Sequence, residues 1–185
     1  MQSYPEAAGV RKLSVIAVFA SLAVALGILE SLIPFATAIP GAKPGLGNIL
    51  VLACLWFFSG RDVLWLIAVK TLLTAFILGT FSTFLFSIMG AMASFAVMWS
   101  MLRFGRRAFS LTAVSVAGGV AHNLGQLTAA AAVLGTTRIF YYFPVLLAAG
   151  VVTGVFVGLA ARHLIGTLTR IGLFREMGDL GRDGK

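Results

Sequence analysis

Seven side chains carry polar chemistry into otherwise apolar stretches of this sequence: Glu30, Lys43, Asn48, Lys70, His122, Asn123 and Gln126. The densest group is His122-Asn123-Leu124-Gly125-Gln126. On a helix His122 and Gln126 stand four apart and share a face, which Gly119 and Ser115 continue. One imidazole and two amides at this spacing can build a hydrogen-bonded core network, line a pocket for a small polar molecule, or relay protons or electrons. A lone histidine without cysteine, histidine or carboxylate neighbours at ligand spacing is a poor metal site. No nucleophile triad stands in local sequence, so the pattern points to binding and away from catalysis.

Lys70 lies well inside a third apolar run, about 10 Å from its start at the rise of a helix. It can snorkel to the nearer interface, pair within a bundle, or meet an anionic ligand; Thr71 and Thr74 are its polar neighbours. Glu30 closes the first apolar run, and Lys43 follows in a Pro- and Gly-rich break, where the two can pair. Asn48 opens the second run, placed either to cap a helix or to offer an amide to a ligand.

The elements that position these groups follow from composition. Of 185 residues, 59% are hydrophobic and only 11% are charged, with a mean hydropathy of +1.00. Soluble domains are usually about a quarter charged. Apolar runs of membrane-spanning length recur along the chain, so we read an all-α polytopic membrane protein with six transmembrane helices. The spans run over 13–32, 46–58, 63–81, 84–102, 109–134 and 143–161, with 1–12 a cytoplasmic leader lacking structure over its first ten residues. The transmembrane domain is 13–162, and 163–185 form a cytoplasmic interfacial helix and polar tail, with Leu164, Leu168, Ile171 and Phe174 on the apolar face. The first run has no clear cleavage signal and reads as a retained helix.

Basic residues test this topology. With the N-terminus cytoplasmic, eleven of the 14 Lys and Arg fall inside, two (Lys43 and Arg138) fall outside, and Lys70 is within a span. That is a strong positive-inside bias. It places both termini in the cytoplasm and accounts for the net charge of +8 without a nucleic-acid partner. Cys54 is alone and reads as a small buried hydrophobe.

Small residues at four-residue spacing mark close helix approach. Ala17, Ser21 and Ala25 form such a face in the first span, for packing within the chain or docking on a partner. Gly150, Gly154 and Gly158 form another in the sixth. The sequence carries no dinucleotide fingerprint, no Walker lysine loop and no paired Asp-rich motif for magnesium diphosphate.

Three blocks carry a resemblance: Pro40-Gly-Ala-Lys-Pro-Gly-Leu-Gly-Asn-Ile49, the helix 84–98 with Gly90 and Ser94, and Ser115-Val-Ala-Gly-Gly-Val-Ala-His-Asn-Leu-Gly-Gln126. Over residues 13–165 the chain resembles the bacterial Gx transporter family, also labelled heptaprenyl diphosphate synthase component I. Where relatives commonly have Ala-Lys-Leu-Gly-Leu-Ala-Asn, this chain has Pro44 and Gly47, which stiffen and then loosen the segment. The family is similar to the substrate-capture (S) components of energy-coupling factor transporters. That similarity implies a six-helix bundle in the bacterial cytoplasmic membrane, with no catalysis and no intrinsic cofactor. It would bind a vitamin-, flavin- or quinone-like molecule and work with a coupling transmembrane subunit and ATPase subunits. It further implies that Ala17, Ser21 and Ala25 dock on the coupling subunit, that Lys43 and Asn48 cover the ligand, and that His122, Asn123 and Gln126 line its site. The alternatives are a membrane subunit of a flavin- or quinone-linked electron-transfer system and a membrane component of prenyl diphosphate synthesis. The second would call for carboxylate pairs, and Glu30 is the one interior carboxylate.

Overall fold

The structure is a computed structural model and describes residues 4–32, 45–78 and 81–172. Those residues form six α-helices and one short 3-10 turn. The helices are α1 (Tyr4–Ser31), α2 (Leu46–Phe57), α3 (Gly60–Leu78), α4 (Phe81–Gly105), α5 (Leu111–Leu134) and α6 (Phe143–Arg170). Among the described residues three helical stretches are long and apolar enough to cross a membrane: Gly9–Glu30, Phe84–Gly105 and Thr137–Arg170. The stretch α2 is also apolar but has only 12 residues.

Local chemistry sets the ends. At the start of α3 the Asp62 carboxylate reaches back to Ser59, accepting from its backbone N–H at 3.0 Å and its hydroxyl at 2.7 Å, the carboxylate half of a capping box. Ser110 caps α5 by accepting from the Ala113 N–H at 3.1 Å. Gly135 ends α5 in the left-handed conformation, at φ 63°. Pro144 opens α6, where its missing N–H costs nothing.

Two boundaries differ from the sequence reading. Helix α1 begins at Tyr4, without a structureless leader of ten residues; Pro5 falls in the first turn, the position a helix tolerates. Helix α6 continues unbroken to Arg170 instead of stopping at Ala161. Gly158 and Gly166 flank the expected break, and a single glycine costs about 1 kcal/mol, too little to end a packed helix. Leu164 and Leu168 accordingly pack against the core. Phe174 lies outside the described residues, as do the tail and Lys43.

The most extensive packing joins α4 to α5 and α5 to α6, while α1 packs on α2 and α3. Glycines make the α5–α6 approach possible: a Cβ on Gly154 would stand 2.6 Å from the Val116 Cα, so the backbones themselves are in contact. Helix α2 sits at the centre, with Leu50 to Leu55 buried in unbroken succession. Around it the core gathers Ile16, Phe19, Ala23, Val63, Leu66, Ile67, Met98, Val114, Ala161 and Ile165. Ile16, Phe19 and Ala23 come from the middle of α1, and the others from the late turns of α4 and α6 and the early turns of α3 and α5, so the core lies toward one end of the bundle.

That end also carries the basic residues. Lys12 pairs with Asp62 at 2.8 Å, and the Arg106 guanidinium lies 4.0 Å over the Trp56 ring. The start of α1, the α2–α3 turn and the α4–α5 turn therefore share one end, as alternating helix directions require.

Candidate functional site

Above the apolar core the bundle opens into a narrow polar cleft. Met98, Ser115 and Val157 line it nearest the core, and Ser94, Gly119, His122, Asn123, Gln126, Thr153 and Gly154 continue upward. Gly45 and Asn48, from the beginning of α2, complete the lining. Because α2 is short and starts deep in the bundle, its first turn reaches the same cavity as the α5 cluster. No long lid has to bring Asn48 there.

The start of α2 is held from two sides. From α1, the buried Glu30 carboxylate accepts hydrogen bonds from the backbone N–H of Gly45 at 2.6 Å and of Leu46 at 3.1 Å. Those N–H groups have no partner within the helix, and the positive end of the helix dipole suits a carboxylate. Gly45 itself is left-handed, at φ 76°, which only glycine adopts without strain. From α3, the Lys70 ammonium donates to the Asn48 Oδ1 at 2.9 Å. A Cβ on Gly47 would stand 3.0 Å from the Lys70 Nζ and 2.9 Å from the Ala23 carbonyl oxygen, so the missing side chain lets Lys70 reach across.

These contacts assign roles that sequence left open. Glu30 binds backbone rather than facing the cleft, and it positions α2. Asn48 is not a cap, since the cap is Gly45 and no side chain bonds there. Lys70 turns toward α2 instead of lying along its own helix to the interface. Lys43 lies outside the described residues.

On α5 the three polar residues separate by role. Asn123 is buried and donates from Nδ2 to the Leu146 carbonyl of α6 at 2.6 Å, a bond between helices. His122 and Gln126 lie against Gly90 of α4: a Cβ there would stand 3.0 Å from the His122 Nε2 and 2.8 Å from the Gln126 Cγ. The glycine gives both side chains room beside the cleft.

Ser94, Met98 and Thr153 were not singled out as site residues from sequence. A signal for each existed. Thr153 is the one hydroxyl or charged side chain between Phe143 and Ala161, and its hydroxyl donates to the Ala149 carbonyl at 2.9 Å. Ser94 and Met98 follow Gly90 at four-residue spacing, on the face that meets α5.

Among the described residues the lining combines an imidazole, three amides, three hydroxyls, a thioether and small residues, with no carboxylate and no formal charge. Such a surface suits an uncharged, flat molecule with hydrogen-bonding groups at its edges. Among the described residues no group of three or more His, Cys, Asp or Glu could hold a metal ion.

A family model described as heptaprenyl diphosphate synthase component I matches residues 19–164. The chain belongs to that family. No curated protein and no solved structure matches it. In this member of the heptaprenyl diphosphate synthase component I family, the matched stretch contains every cleft-lining residue named above and stops before the last turn of α6. The Ala17-Ser21-Ala25 face lies apart from the cleft, on the exposed side of α1. The Ser21 hydroxyl there donates to the Ala17 carbonyl of its own helix at 2.9 Å, leaving a smooth stripe flanked by exposed Val18 and Leu22.

Proposed function

We propose that this protein is a substrate-capturing membrane subunit, like the S component of an energy-coupling factor transporter. It would take up a small vitamin-, flavin- or quinone-like molecule without catalysing a reaction. The observation that carries this is the cleft, where an uncharged polar lining from α2, α4, α5 and α6 converges in the middle of an otherwise apolar bundle. Polar groups in such surroundings are costly without a task.

All six helices would cross the cytoplasmic membrane of a bacterium, with α2 extended by the segment before it and both termini inside. The basic end of the bundle would face the cytoplasm, in keeping with the distribution of Lys and Arg. The cleft would then open toward the outer side. The exposed Ala17-Ser21-Ala25 face would dock on a coupling transmembrane subunit, itself driven by ATPase subunits.

Native mass spectrometry of gently purified protein tests this directly. A small molecule retained by the wild-type protein and lost on His122→Ala or on a Lys43 substitution is the expected result. Retention undiminished in both variants would sink the site assignment.

The family's description favours a second function, a membrane part of prenyl diphosphate synthesis. Against it stands a cleft lining that, among the described residues, carries no carboxylate, since diphosphate chemistry of that kind runs through carboxylate-held magnesium. Product formation that requires this chain, magnesium and a soluble carboxylate-rich partner would establish that alternative.

A further inference from the structure

Asn48 is the residue through which α2 meets the cleft, and its amide is not free to present either end. Lysine is a donor with no acceptor capacity. The 2.9 Å contact from Lys70 Nζ therefore fixes the Asn48 carbonyl oxygen toward α3, whichever way the amide is drawn. The Nδ2 group, with its two protons, is the remaining end of a side chain that lines the cavity. The Lys70 ammonium bonded to its oxygen also polarises the amide and strengthens those protons as donors.

We infer that Asn48 is a donor-only specificity residue and Lys70 its positioning residue. The ligand therefore presents an acceptor, a carbonyl oxygen or an unprotonated ring nitrogen, to the beginning of α2. This deepens the proposed function and rests on the cleft being a ligand site. Discrimination follows from the cost of an error: a ligand N–H set against the Asn48 N–H leaves two donors facing each other in a desolvated place. A site that makes one such bond rejects the mismatched partner by about tenfold or more.

Two bicyclic aromatics of similar size separate the possibilities. Quinoline carries a ring-nitrogen acceptor and no donor; indole carries an N–H donor and no acceptor lone pair. Calorimetric titration of the whole purified chain in lipid nanodiscs should show quinoline binding about tenfold more tightly than indole. Lys70→Arg, which retains a donor, should keep the preference. Lys70→Met should erase it by letting the amide turn. Asn48→Asp, which offers only oxygen atoms, should reverse it.

Equal affinity for the two probes in the wild-type protein overturns the inference, as does failure of both to bind. A preference that survives unchanged in Asn48→Asp overturns it as well. Native mass spectrometry keeps the two levels apart. A retained natural molecule with no probe preference refutes the role of Asn48 alone. A clear probe preference with no retained molecule refutes the capture function and leaves the donor assignment standing.

Discussion

The Glu30 carboxylate accepts a 2.6 Å hydrogen bond from the backbone N–H of Gly45, fifteen residues further along the chain. A buried side chain at the end of the first helix thereby holds the first residue ahead of the second. Through Gly45 and Leu46 it also sets where Asn48 enters the cleft. Glu30→Ala should leave two part-buried N–H groups and a helix end unsatisfied, lowering stability by about 1–3 kcal/mol. Glu30→Gln keeps one oxygen acceptor and should lose about half as much. Reversible unfolding in mixed detergent micelles measures both, and a wild-type midpoint for Glu30→Ala would refute the role.

The glycines of α6 should divide sharply by position. Gly154→Ala puts a methyl group 2.6 Å from the Val116 Cα, which is backbone and cannot yield locally. Separating α5 from α6 should cost about 1–3 kcal/mol and loosen the cleft. Gly166 has nothing within 4 Å of such a methyl. Gly166→Ala should be neutral or stabilise by up to about 1 kcal/mol through helix propensity. Thermal midpoints of the two variants, measured side by side, check the contrast.

Acid should weaken the link between α1 and α3. Burial alone would raise the Asp62 pKa, but hydrogen bonds from Lys12 and Ser59 outweigh it and hold the carboxyl below its ordinary value. A carboxyl depressed in the folded state adds stability above its unfolded pKa, and that contribution is lost as pH falls through the folded value. Stability should therefore be level near neutral pH and decline from about pH 4 downward. Asp62→Asn should be less stable at neutral pH and show a flatter acid limb. An identical acid limb in the variant would contradict the assignment.

Ala17 and Ser21 face away from the bundle. Ala17→Phe combined with Ser21→Phe should leave the isolated protein's thermal midpoint within experimental error. Under the proposed docking, co-purification with a coupling subunit should fall by tenfold or more, because bulky residues keep helices from approaching closely. A shift in midpoint with undiminished co-purification would place that face inside the fold.

Much of the fold was legible because its punctuation is local. Ser59-Gly-Arg-Asp62, Arg103 to Ser110 and Gly135 each end one apolar run and begin another, and α2 starts and stops within a residue of the reading. The α5 cluster was legible because four-residue spacing puts His122 and Gln126 on one face. What sequence could not supply was direction across space. Glu30 was expected to meet Lys43 in the following segment, yet its described partners are main-chain N–H groups, which carry no sequence signature. Asn123 looked like its neighbours His122 and Gln126, but a one-residue step, about 100° around the helix, sends it to the Leu146 carbonyl. Lys70 could snorkel to the nearer interface, pair within the bundle or meet an anionic ligand, and the space left at Gly47 lets it reach Asn48.

The shortest helix is also the most central one. At 12 residues α2 is about 18 Å long, little more than half of a hydrocarbon layer of about 30 Å. Its packed stretch, Leu50 to Leu55, leaves only the first turn to touch the cleft. The depth of the cavity is thus metered by a residue count between Gly45 and Phe57, independently of how large the surrounding side chains are. One added helical turn would carry Gly45 and Asn48 outward by about 5.4 Å, past the reach of Lys70. A relative that takes a longer molecule has an economical route: it can shorten this one helix by a turn and leave the packing beneath untouched.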